Sequence, residues 1–170
     1  MLKKGMTALV TGGSGGIGSA VVKTLAARGV TVIAASNDDD KLKALEGIEN
    51  VETCLVDVRD FTKLKELFGG REIDAVINAA GVLGVTGTIY SVPHESAQEI
   101  LDVNVVGIHN VLSSVVPGMV ERNRGHIVNI GSLAGPYPSA GQPMYSASKA
   151  AVHNMSANLR MELFGTDVKV

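Results

Sequence analysis

Residues Thr11–Gly18 read TGGSGGIG and stand between a short apolar run, Thr7–Thr11, and a helical pattern that continues to about Arg28. That pattern sets Ile17, Val21, Val22 and Leu25 on one face. A glycine turn gains meaning in this setting, after a strand and ahead of a helix. Glycine adopts backbone angles closed to other residues and lets the main chain approach a bulky anion. The helix N-terminus behind it offers free N–H groups and a positive dipole end. The turn therefore predicts a cradle for a dinucleotide pyrophosphate, set against the plainer reading of a tight connection with no ligand. It fits three patterns at once. Gly13, Gly15 and Gly18 make GxGxxG; Gly12, Gly15 and Gly18 make TGxxGxxG; Gly12, Gly16 and Gly18 make TGxxxGxG.

Outward from the turn, strands and helices alternate. Gly29 closes the first helix and Thr31–Ala35 is the second predicted strand. Asp38–Asp40 supply N-terminal carboxylates to a helix carrying Leu42 and Leu45. Val51–Val56 is predicted as strand three, Thr62–Phe68 as a short helix, and Ala75–Asn78 as strand four. A long helix from Pro93 to about Val120, a fifth strand His126–Ile130 and a last helix from Pro143 to Phe164 follow. Asp167–Val170 reads as the opening of a sixth strand. VETCLV, DAVIN and HIVNI are near-continuous apolar runs, as in parallel strands buried on both faces. Right-handed crossovers between them give a doubly wound parallel sheet, a three-layer α/β/α domain of Rossmann type. The 170 residues suffice for one such domain, and no linker or repeat divides residues 1–170.

Composition narrows the function classes. A net charge of −2 with 19% charged residues leaves no electrostatic footprint for nucleic acid and no polybasic membrane patch. The apolar runs are a few residues long, against the roughly 20 that span a bilayer, and the N-terminus lacks the apolar stretch of a signal peptide. Cys54 is the single cysteine, which excludes an internal disulfide or a multi-cysteine metal site and suggests a reduced core thiol. A cytoplasmic location, with neither nucleic acid nor membrane as partner, is the expectation.

The second strand should end over the adenosine ribose, where an acidic side chain would bind the hydroxyls of NAD. Ser36 stands there, 18 positions after Gly18, followed by Asn37. Ser36 carries no charge to repel a 2′-phosphate, and Lys41 could reach one. NADP is thus expected, with NAD as the alternative. Further along, YSASK spaces Tyr145 and Lys149 one helical turn apart. A phenol with its ordinary pKa near 10 is a poor proton shuttle, and a neighbouring ammonium favours its phenolate. Ser132 follows the fifth strand and Asn78–Gly81 end the fourth, at the sheet edge that lines the ligand crevice. Asn104 lies inside the long helix, an odd place for a residue of poor helix propensity. Its plainer reading is a polar side chain buried against a backbone carbonyl.

The ordered set TGGSGGIG, LVDV, NAAG, DVN, IGS and YSASK resembles the short-chain dehydrogenase/reductases across nearly the whole chain. The resemblance selects the TGxxxGxG register, because only twelve residues separate Ser132 from Tyr145, as in the simple reductase branch. It implies an NAD(P)-dependent oxidoreductase that interconverts a small-molecule carbonyl and an alcohol. By it, Tyr145 is the general acid/base, Lys149 lowers its pKa and binds the nicotinamide ribose, and Ser132 holds the substrate oxygen. Asn104 positions a water that leads to Lys149. The cofactor would lie against Gly12, Ser14, Gly16, Ile17, Gly18, Ser36, Asn37, Asp57, Val58 and Asn78–Gly81. Ala79 departs from the family, which commonly has a second asparagine there. VVPGMVERNRGHIVNIGS and NLRMELFGTDVKV look like segments of reductases of short 3-hydroxy acids and related alcohols, but they belong to the dimer-facing helix and its neighbours and say little about the substrate. A homodimer or homotetramer packed through the two long helices is also implied. Family members continue through a Pro-Gly turn, a substrate-covering segment and a seventh strand. The chain is therefore expected to be C-terminally incomplete, lacking the last strands, with strand five as an exposed edge. A non-catalytic nucleotide-binding or regulatory protein on the same scaffold is the alternative.

Overall fold

The computed structural model describes residues 2–170. Its centre is a six-stranded parallel sheet of β1 Thr7–Thr11, β2 Thr31–Ser36, β3 Val51–Leu55, β4 Ala75–Asn78, β5 Gly125–Asn129 and β6 Val168–Lys169. The strand order is β3-β2-β1-β4-β5-β6. The chain builds outward from β1 to β3, then crosses back to lay β4 on the other side. A crevice opens where that reversal occurs, at the carboxyl ends of β1 and β4.

Alternation along the strands explains why both faces are covered. Ala8, Val10, Val32, Ala34, Ala75 and Ile77 point to one side, where they pack with Val22 and Ala26 of α1 (Gly16–Ala26) and Leu42 of α2 (Asp39–Lys43). Leu9, Ile33, Val76 and Ile127 point to the other. There they meet Leu64 and Phe68 of α3 (Phe61–Phe68), Val111 and Met119 of α5 (Gly107–Glu121) and Val152 of α6 (Pro143–Glu162). A side-chain period of two thus feeds two separate cores from one sheet.

The acidic run caps α2 as expected, with the Asp38 carboxylate accepting from the Lys41 amide at 3.0 Å. Cys54 is half-buried against the larger core, and burial pushes its thiol pKa up. The long helix departs from expectation. It opens as α4 (His94–Leu101), with Pro93 as its N-cap, and widens to a π-helical turn over Asp102–Val106 before α5 resumes. Its run from His94 to Glu121 is long and apolar enough to cross a membrane, with a window of mean hydropathy 1.4. Ile108, Val111, Val115 and Met119 nevertheless lie buried on the sheet, the pattern of a core helix. The expected edge at strand five is also corrected. Val168 and Lys169 pair in parallel with Gly125 and His126, so β6 covers the first half of β5.

Candidate active site

The glycine turn sits at the crevice mouth. Gly12 has a φ of +61°, in the left-handed region, and a β-carbon there would lie 2.7 Å from the Ala80 amide nitrogen. Only glycine lets the turn after β1 touch the end of β4. A β-carbon on Gly18 would collide with the Gly12 carbonyl, so the third glycine brings α1 down onto the turn. Gly15 caps α1 without a side-chain hydrogen bond, and the first turn carries no acid. A backbone cradle with free amides and no opposing negative charge fits a pyrophosphate.

From the turn runs a cleft of about 260 Å³. Gly12, Ser14, Ser36, Asn37, Asp57, Val58 and Ala79–Gly81 line it, and Val82, Glu99 and Val103 close its far side. Of the other predicted cofactor residues, Gly16, Ile17, Gly18, Tyr145 and Lys149 lie outside this lining, with Ile17 59% exposed on α1. Asn78 is buried beneath it. The end of the cleft between Ser36 and Asp57 carries several side-chain hydrogen bonds. Ser14 and Ser36 pair through their hydroxyls at 2.7 Å, and Asn37 donates to Asp57 at 3.2 Å. Arg59 grips both oxygens of the same carboxylate, at 2.9 and 2.6 Å, and holds the Asp57 pKa down at about 2. Lys41, the candidate for a 2′-phosphate, also lines the cleft and is paired with Asp38 at 2.6 Å.

At the inner end of the cleft three residues converge. A β-carbon on Gly81 would lie 3.2 Å from Asn104 Oδ1 and 3.7 Å from Lys149 Nζ. Asn104 is fully buried. Its Oδ1 accepts from the Val82 amide at 2.8 Å, while Nδ2 donates to the Val82 carbonyl at 2.9 Å and to Ser148 Oγ at 3.0 Å. The carboxamide thus ties the strand-four loop to α6, and the widened π turn is what carries it. Lys149 is 5% exposed and donates to the Ile130 carbonyl at 2.8 Å; burial lowers its pKa. Its ammonium stands 5.8 Å from the centroid of the Tyr145 ring. Ser132 lies in the loop after β5, where its Oγ accepts from the Ala134 amide at 3.1 Å.

Several residues that shape this region were not singled out from the sequence. Asn78 donates to Asn129 at 2.9 Å, and Asn129 donates to Ser156 on α6 at 2.9 Å. A polar belt therefore crosses the sheet beneath the site. Asn110 donates to the Val58 carbonyl at 3.0 Å and fixes the loop that carries Asp57. Arg59 and His153 belong here too. The one signal available was position, since Asn129 and Asn110 are carboxamides within otherwise apolar runs.

Comparison with known proteins agrees with this architecture. The family model for short chain dehydrogenases matches residues 6–170. The NADP-dependent 3-hydroxy acid dehydrogenase YdfG of Salmonella typhi is 39% identical over 97% of this chain and 69% of its own length. The crystal structure of serine dehydrogenase from Escherichia coli superimposes with a TM-score of 0.92 at 35% identity, over 96% of this chain and 79% of that one. A closed form of serine dehydrogenase complexed with NADP+ gives 0.93 at 35% identity, over 97% and 69%. The chain belongs to the short-chain dehydrogenase family. It is an NAD(P)-dependent oxidoreductase acting on CH–OH or C=O groups of small molecules.

Proposed function

We propose that residues 1–170 form one dinucleotide-binding and catalytic domain in which Tyr145 exchanges a proton with the substrate oxygen. Ser132 Oγ hydrogen-bonds that oxygen and holds it beside the phenol. The carrying observation is the buried Lys149 ammonium beside the Tyr145 ring, held by the Ile130 carbonyl at the end of β5. A positive charge fixed there stabilises the phenolate that proton transfer leaves behind. The same ammonium has donors left for ribose hydroxyls at the inner end of the cleft. Asn104 Oδ1 keeps a lone pair for a water leading to Lys149. The nicotinamide, when bound, supplies or accepts the hydride.

Gly12, Ser14, Gly16, Ile17 and Gly18 hold the pyrophosphate, Ser36 and Asn37 the adenosine ribose, Asp57 and Val58 the adenine. Asn78–Gly81 form the floor. NADP is the preferred cofactor. Ser36 brings no charge against a 2′-phosphate, Lys41 and Arg59 both line the cleft, and the relative quoted above is named NADP-dependent. That name also points to a 3-hydroxy acid as substrate. We assign the protein to the cytoplasm as a homodimer or homotetramer.

The test is NADP+-linked oxidation of 3-hydroxybutyrate, alongside NADPH and NADH titrations. Tyr145→Phe should bind NADPH as the wild type does and lose turnover by about 10²–10⁴-fold, the usual weight of a general acid/base. Unchanged turnover in that variant would remove Tyr145 from the mechanism.

A further inference from the structure

We infer that His153 is a positioning residue for Ser132, acting through the Ser132 carbonyl; the inference rests on the reaction proposed above. His153 is the third member of a series on α6, one turn beyond Lys149 as Lys149 is one turn beyond Tyr145. Its Nε2 stands 3.1 Å from the Ser132 carbonyl oxygen. A carbonyl only accepts, so Nε2 carries the hydrogen, and the donor persists whether the ring is neutral or charged.

The loop is cut to receive this ring. A β-carbon on Gly131 would lie 2.8 Å from His153 Nε2, and one on Gly135 would lie 2.6 Å from Cδ2. Both glycines have ordinary backbone angles, so what their missing side chains supply is space for the imidazole. The Ser132 carbonyl also accepts from the Gly135 amide at 3.0 Å, closing the turn whose Ala134 amide bonds Ser132 Oγ at 3.1 Å. His153 therefore holds the same turn that aims the hydroxyl.

Two consecutive turns of α6 thus grip two carbonyls beyond β5, Lys149 on Ile130 and His153 on Ser132. Lys149 divides its donors between Ile130 and the cofactor in the proposed reaction. The His153 ring makes no other hydrogen bond among the described residues, and through this one it sets the register between Tyr145, carried by α6, and Ser132, carried by the loop. Reacting groups displaced by about 1 Å lose on the order of 10²-fold in rate. A slackened tether should give a smaller loss than that.

The experiment uses NADP+-linked oxidation of 3-hydroxybutyrate, NADPH binding, and hydrogen exchange of the Gly135 amide. His153→Ala should lower kcat about tenfold, with NADPH affinity within about twofold of wild type, and speed Gly135 exchange. His153→Gln, which restores an amide donor of similar reach, should recover most of both. Gly131→Ala pushes the ring away while keeping it, so it should lower kcat likewise and add nothing in the His153→Ala background. Unchanged kcat and exchange in His153→Ala overturn the inference. So does a loss of NADPH affinity in step with thermal stability, or additive effects of the two substitutions. If the wild type itself leaves 3-hydroxybutyrate untouched, the proposed substrate fails and the exchange rates decide. Faster exchange in His153→Ala, reversed in His153→Gln, supports the tether, and equal rates overturn it.

Discussion

Lys149 shows what a functional group costs the residues around it. Its ammonium is almost wholly buried, and the Ile130 carbonyl is its one hydrogen-bond acceptor among the described residues. Burial disfavours the charged form, so the folded-state pKa lies below the ordinary 10.5. The unfolded chain then binds that proton more tightly. The cost is present at neutral pH and lifts as pH rises through the folded pKa towards 10.5. Lys149→Met should therefore abolish turnover while leaving the melting temperature equal or higher, and should lose the alkaline gain in stability. A clear fall in melting temperature would contradict this account. Asp57 has the opposite sign. Arg59 depresses its pKa to about 2, so the pair stabilises the fold above pH 4 or so and the benefit fades as pH falls towards 2. Asp57→Asn should flatten that part of the acid-unfolding profile, read by circular dichroism, and weaken adenine-nucleotide binding.

Among the elements, the helix carrying Asn104 separates what the sequence could disclose from what it could not. Periodicity and β-branched runs located all the major elements to within a residue or two, because a period of two or of 3.6 is local information. DVN marked Asn104 as anomalous, yet nothing local announced a π turn over Asp102–Val106, since that widening answers to Val82 and Ser148 far along the chain. The Asn78–Asn129–Ser156 belt was hidden for the same reason: its partners meet only once β4, β5 and α6 are assembled. The spacing of Tyr145 and Lys149 was the reverse case. Tyr145 and Lys149 share one helix, so four residues sufficed to bring them together. Asn104→Ala would leave the part-buried Val82 N–H and C=O without their side-chain partner, each loss worth at most about 1–3 kcal/mol. The expected loss is about 2–4 kcal/mol, seen as a lower urea midpoint at unchanged slope. A midpoint equal to wild type would show that water replaces the carboxamide.

For the molecule as a whole, a second concavity lies away from the proposed active site. It spans about 820 Å³ between α5 and α6, lined by Leu112, Val116, Val120, Met155 and Leu159, with His109, Asn154 and Asn158 among its polar residues. Both helices reach the sheet through Val111, Met119 and Val152, and Leu112, Val116, Met155 and Leu159 pack at the margin of that same core, which leaves Val120 as the exposed apolar residue of the groove. An apolar stripe rimmed by polar residues on two adjacent helices is a surface on which a second copy could pack about a two-fold axis. That geometry, with the oligomer expected from the family, leads to a prediction at this scale. Val120 is 42% exposed at the groove and contributes nothing to the core clusters. Val120→Glu should leave the folded protomer intact and disrupt the dimer, because two carboxylates would be buried near each other without counter-ions. Sedimentation equilibrium should give a dimer or tetramer for the wild type and a smaller species for the variant. The wild-type melting temperature should rise with protein concentration, and that of the variant should not. A wild type that stays monomeric at every concentration, or a variant that keeps the wild-type mass, would move the interface elsewhere. Because α6 carries Tyr145, Lys149 and His153 on one side and Met155 and Leu159 on the groove, dissociation should also lower turnover in Val120→Glu. Pairing would then steady the helix on which the proposed proton transfer depends.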